Sequence, residues 1–71
     1  MKVILNKYEP KEIIKFIRES SGLTQEQFGK KIGKSHASVQ SYELGRITMS
    51  FNDFYKICEM FNIEVTIEKK D

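Results

Sequence analysis

A chain of 71 residues with a formal net charge of +2 supports one hydrophobic core, because chains of this size bury only roughly 60% of their unfolded surface; a catalytic cleft between two domains is not expected. Hydrophobic residues at 39% and charged residues at 31%, with five Phe and three Tyr, fit a compact folded domain rather than a disordered tail. No apolar run approaches the roughly 18 residues of a membrane span, and Met1 to Asn6 is too short and too weakly basic for a signal peptide, so a cytoplasmic location is expected.

In chain order, Lys2 to Leu5 is a short run with β-branched residues and reads as a strand. The first helix opens at Glu9-Pro10, since proline suits the first helical position, where its missing N–H would have no intrahelical partner. Ile13, Ile14 and Ile17 recur at helical spacing, with Lys11, Glu12, Lys15 and Glu19 on the other face, and Gly22 supplies a left-handed terminus; the helix should run from about Pro10 to Ser21. Thr24 followed by Gln27 is a capping-box signature, so a second helix starts there, with Phe28 and Ile32 inward, and stops at Gly33. Only Gly33 and Lys34 separate it from Ser35, the next N-cap. The third helix, about His36 to Leu44, buries a narrow stripe of Val39 and Tyr42 and ends at Gly45. Ser50, with Asp53 at the third helical position, opens a fourth helix whose inner face is Phe51, Phe54, Ile57, Cys58 and Phe61, and Asn62 closes it in the left-handed conformation. Glu64 to Glu68 alternates Val65 and Ile67 with polar residues and reads as a second strand. A two-stranded ribbon alone is marginal in water, so the strands should pack on the helices or pair with a second subunit.

The third helix presents His36, Ala37, Gln40 and Ser41 on its outer face, where a merely solvated helix would carry Lys and Glu. Charge is also uneven: Thr24 to Thr48 holds Lys30, Lys31, Lys34 and Arg46 against Glu26 and Glu43, whereas Glu59 to Asp71 carries four acids and two lysines. A helix-turn-helix needs small residues where its helices cross, a turn of fixed length, and a second helix with outward side chains able to reach base edges. Gly29, Gly33 and Val39 meet the first two needs, although any helical hairpin would use glycines similarly.

Gly22-Leu23-Thr24-Gln25-Glu26-Gln27-Phe28-Gly29, then Gly33-Lys34-Ser35, Val39 and Glu43-Leu44-Gly45-Arg46, resembles the signature of Cro and phage-repressor-like (Xre-type) DNA-binding domains, from about Ile14 to Ile63. Gly29 departs from the family's Ala, Lys34 from a small apolar residue, and Met49 from Pro. The resemblance implies a mainly α, four- to five-helix lambda-repressor-like domain over residues 1–71, with short terminal strands. It further implies that His36, Ala37 and Ser41 meet base edges in the major groove, with Gln40 flanking. Gln25 matches a position that bonds a phosphate and buttresses the first side chain of the recognition helix. Helix N-terminal amides hold phosphates near Thr24, Lys34, Ser35 and Ser38, and Arg46 and Thr48 grip the backbone from the following loop. Arg18 and Glu43 match positions that form a salt bridge between the first and third helices, a structural role.

One His, one Cys and no suggestive carboxylate pair argue against an enzyme. Cys58 has no second thiol for a disulfide or zinc site and is expected as a buried structural residue. No metal, cofactor or small-molecule ligand is indicated. The implied function is sequence-specific regulation of transcription, most simply repression, on double-stranded DNA; an antitoxin or a protein-binding adaptor on the same fold is the alternative. A homodimer joined through the fourth helix and the terminal strands, where Phe61, Ile63, Val65 and Ile67 gather, is expected to read a near-palindrome.

Overall fold

A computed structural model describes residues 2–69, so Met1, Lys70 and Asp71 of the expected 1–71 domain lie outside the described residues. Strand β1, Lys2–Ile4, leads into a single 3-10 turn, Leu5–Lys7. Four helices follow, α1 Pro10–Ser20, α2 Gln25–Ile32, α3 His36–Leu44 and α4 Phe51–Met60, and strand β2, Glu64–Thr66, comes last. The mainly α class with terminal strands is as expected, and the helix count among the described residues is four.

Each helix starts where local chemistry removes or satisfies one of its orphan amides. Pro10 removes one such donor from α1. Thr24 and Gln27 exchange both bonds of a capping box at α2. Ser35 and Ser50 each accept from the amide three residues on, at 3.1 Å. The four helices also end alike, each with one residue at positive φ, Gly22, Gly33, Gly45 or Asn62. The next amide then bonds back five residues: Leu23 to Arg18, Lys34 to Gly29, Arg46 to Ser41 and Ile63 to Cys58.

The core gathers Ile13, Ile14 and Ile17 of α1, Phe28 of α2, Val39 and Tyr42 of α3, Ile57 and Cys58 of α4, and Val3 and Ile63 from the two ends of the chain. Phe28, Ile17 and Val39 are its largest fully buried side chains, and Phe28 stacks on Phe61 with ring centroids 5.3 Å apart. Tyr42 and Cys58 are core residues, as expected. Phe51 is not: at the first position of α4 it lies beyond the rim of the core, is 65% exposed and leans on Phe54.

The strands pair with each other inside the chain, in parallel, with Val3 opposite Val65. Val3 is buried and Val65 half-buried against the core, so the ribbon is held by packing on the helices. Both strands are shorter than expected, because Leu5 turns into the 3-10 segment and withdraws the backbone from the ladder. The Asn6 side chain takes over: its amide nitrogen donates to the Glu68 carbonyl at 2.7 Å and its oxygen accepts from the Glu68 amide at 3.2 Å. An asparagine side chain thus continues the pairing that the backbone abandons.

Candidate nucleic-acid interface

Helices α2 and α3 meet across a three-residue connection, Gly33-Lys34-Ser35, which only a left-handed residue at Gly33 (φ 73°) lets the chain make so tightly. Gly29 sets how closely it folds. A Cβ there would lie 2.5 Å from the Lys34 carbonyl oxygen and 3.4 Å from a Val39 methyl, so the turn backbone occupies the space a side chain would need. Val39 is fully buried beneath it.

His36, Ala37, Gln40 and Ser41 fall on one stripe of α3 by the spacing of helical neighbours. The first three are exposed and Ser41 is half-buried. Beneath the stripe runs a chain of polar contacts. The Arg18 guanidinium donates through Nε to Glu43 Oε2 at 2.6 Å and through Nη2 to Glu43 Oε1 at 3.0 Å, and its Nη1 donates to the Leu23 carbonyl at 3.0 Å. This pair is little exposed, with 15% of the Arg18 side chain and 5% of the Glu43 side chain reaching solvent. Hydrogen bonding to Glu43 holds Arg18 charged and moves its pKa further up, against a smaller opposing effect of burial. Gln25 Nε2 donates to the same Glu43 Oε1 at 3.2 Å, and Gln25 Oε1 lies 3.1 Å from His36 Nε2. Gln25 thus stands between the buried ion pair and the first residue of α3, the buttressing position that the sequence resemblance implied.

The other sequence-derived residues fall into two groups. Thr24 and Ser35 cap α2 and α3, and Ser35 also bonds the Ser38 hydroxyl at 3.0 Å. Their caps reach the third amide of each helix, leaving those of Gln25, Glu26, His36 and Ala37 with no acceptor among the described residues. These amides, at the positive ends of two helix dipoles, can hold anionic oxygens. Arg46 and Thr48 lie in the loop after α3; both are exposed, and neither side chain bonds any described residue.

Lys34 differs from the expectation of an available cation. Its ammonium sits 3.4 Å from Asp53 at the start of α4, a partner nineteen residues away that local pattern does not reveal. Lys30 likewise lies 3.9 Å from Glu26. Arg18, Glu43 and Asp53 are the residues that sequence reasoning left off the site. Arg18 and Glu43 carried a signal, the helix-pairing positions, whereas Asp53 had only its capping role.

Helices α1 to α4 present no stretch long and apolar enough to cross a membrane. Among the described residues no group of His, Cys, Asp and Glu is arranged to hold a metal ion. The model of the helix-turn-helix family matches residues 14–67. Two curated relatives named antitoxin HipB align over 63 residues, 84% of this chain. The one from Escherichia coli O6:H1 is 29% identical with 67% of its own length covered, and the one from Escherichia coli K12 is 27% identical with 72% covered. No solved structure matches the chain at a comparable level of significance. With the capped pair α2 and α3, the glycine-limited turn and the match over residues 14–67, the chain belongs to the Xre-type, Cro and phage-repressor-like family of helix-turn-helix DNA-binding domains.

Proposed function

We propose that this chain is a sequence-specific double-stranded DNA-binding regulator of transcription, a cytoplasmic repressor with no catalytic role, that reads the major groove with α3. The observation that carries the reading is the stripe of small polar side chains on α3, held rigidly from below by Gln25 and the buried Arg18–Glu43 pair. In this reading His36, Ala37, Gln40 and Ser41 face base edges, where the Ala37 methyl suits a thymine methyl and the hydroxyl and amide suit either donors or acceptors. Thr24, Gln25, Ser35, Ser38, Arg46 and Thr48 position the domain on phosphates, joined by Lys34 once it leaves Asp53. A homodimer through α4 and the ribbon places two α3 helices on half-sites about 34 Å apart. Of the four residues expected to gather there, Phe61, Ile63 and Val65 pack on the chain's own core and Ile67 is exposed; Ile67, exposed Met60 and the outer edges of β1 and β2, which no described strand pairs, support that face.

Selection from a random duplex pool at two salt concentrations tests the proposal. The expected result is an enriched, two-fold-related motif bound with an affinity that falls steeply in salt. Recovery of no motif would refute sequence reading.

A protein partner is a second reading, favoured by an observation of its own. Tyr8, Leu44, Ile47 and Phe51 are large, exposed and line one open apolar groove between the start of α1 and the α3–α4 loop. The relatives named as antitoxins agree with such a role, and it is compatible with DNA binding. Substitutions at His36 and Ser41 would leave partner binding intact while removing sequence discrimination.

A further inference from the structure

Every hydrogen in the chain from Glu43 to His36 has its direction decided by one end. Glu43, held by two bonds from the Arg18 guanidinium, is a carboxylate and only accepts. Gln25 must therefore turn its NH2 toward Glu43, as the 3.2 Å bond shows, and this leaves its carbonyl oxygen facing His36 Nε2 at 3.1 Å. A carbonyl oxygen also only accepts, so the imidazole must carry its hydrogen on Nε2 to make the bond. In the neutral ring Nδ1 is then bare. It bonds no described residue, and His36 is exposed.

We infer that the Arg18–Glu43–Gln25 chain fixes the tautomer of His36 so that it approaches DNA as a hydrogen-bond acceptor, which makes Gln25 a positioning residue for sequence preference as well as a phosphate ligand. The inference rests on the DNA-reading proposal and narrows it. In the major groove adenine offers its N6 amino group and cytosine its N4 amino group, whereas guanine and thymine offer acceptors only. An acceptor at Nδ1 selects adenine or cytosine on the strand it faces and disfavours guanine and thymine. A histidine free to exchange tautomers would not discriminate in this way, because either ring nitrogen could then donate. The buried ion pair is thereby connected, through two side chains, to the identity of one base.

Two measurements test this, both at pH 8, above the ordinary imidazole range. Long-range proton–nitrogen correlation on the His36 ring of the intact protein distinguishes a protonated from a bare nitrogen; hydrogen on Nε2 with bare Nδ1 is expected, and hydrogen on Nδ1 overturns the inference. Random duplex selection with the wild-type chain and with His36→Ala locates the base that His36 reads. At that base the wild type is expected to favour adenine or cytosine over guanine or thymine by roughly two- to tenfold, the worth of one hydrogen bond. Gln25→Ala is expected to weaken binding to all sequences alike through the lost phosphate contact and, beyond that, to flatten the preference at that one base to within about twofold, an effect that neither the lost contact nor mere loss of stability would confine to one base. A guanine or thymine preference, no base altered in His36→Ala, or an unchanged preference in Gln25→Ala would each overturn the tautomer inference while leaving DNA reading intact. Failure of the wild type to enrich any motif would overturn both. Should Gln25→Ala not fold, the ring-nitrogen measurement on the wild type decides alone.

Discussion

Replacing Arg18 by Met tests how the recognition helix is held. The substitution keeps a long apolar stem at this position of α1 but removes every donor that Arg18 gives to Glu43 and to the Leu23 carbonyl. Glu43, with 5% of its side chain exposed, would keep only the Gln25 amide. A buried charge deprived of its partner costs about 3–5 kcal/mol. The whole domain is stabilised by roughly 4–10 kcal/mol, at 0.05–0.15 kcal/mol per residue. The single variant should therefore lose a large part of its stability, with Tm falling by about 15–30 °C. Arg18→Met combined with Glu43→Leu removes both charges and should recover all but about 1–2 kcal/mol, the remainder reflecting the Leu23 carbonyl and altered packing. Urea unfolding followed by circular dichroism, run as a double-mutant cycle, gives each quantity. A single variant that loses less than about 1 kcal/mol, or a double variant as unstable as the single, would refute the reasoning.

Burial pushes the Cys58 thiol pKa up, so the folded chain retains a proton that the unfolded chain releases. Stability from this group is complete below the ordinary thiol range and is lost as pH rises through the raised folded value; Cys58→Ala should lower stability by about 1 kcal/mol and remove that alkaline loss, as pH-dependent unfolding would show. Asp53→Asn frees Lys34 from its 3.4 Å partner and removes a negative charge near the proposed interface, so affinity for a non-specific duplex should rise about two- to fivefold, read by fluorescence anisotropy at low salt. Asn62 sits at φ 55°, where glycine is unstrained; thermal unfolding should show Asn62→Gly unchanged within about 1 kcal/mol and Asn62→Val destabilised by about 1–2 kcal/mol.

Much of the fold was legible because the helix ends are written in local chemistry. Pro10, the Thr24–Gln27 box, Ser35, Ser50 and the left-handed residues each act within a few positions of themselves. Long-range placement was less accessible. Phe51 has the right spacing for the inner face of α4, but spacing does not say where the core ends, and its side chain is exposed. The strands were recognisable by alternation, yet their mutual parallel pairing depends on four helices returning the chain to its starting point. The role of Asn6 in extending the ladder depends on the same closure. At the site, Gln25, Glu43 and Arg18 were visible through family resemblance. The direction of each hydrogen bond among them, and the Lys34–Asp53 pair, required three-dimensional distances.

The central claim is that the face formed by α3 and the starts of α2 and α3 lies on DNA. Titrating a random-sequence duplex at low salt into the isotopically labelled chain, and mapping which backbone amides shift, tests it most directly. Shifts concentrated at Thr24 and Gln25, from Lys34 to Ser41, and at Arg46 to Thr48 are the predicted result. Shifts confined to α4 and the terminal ribbon, or none at low salt, would contradict it.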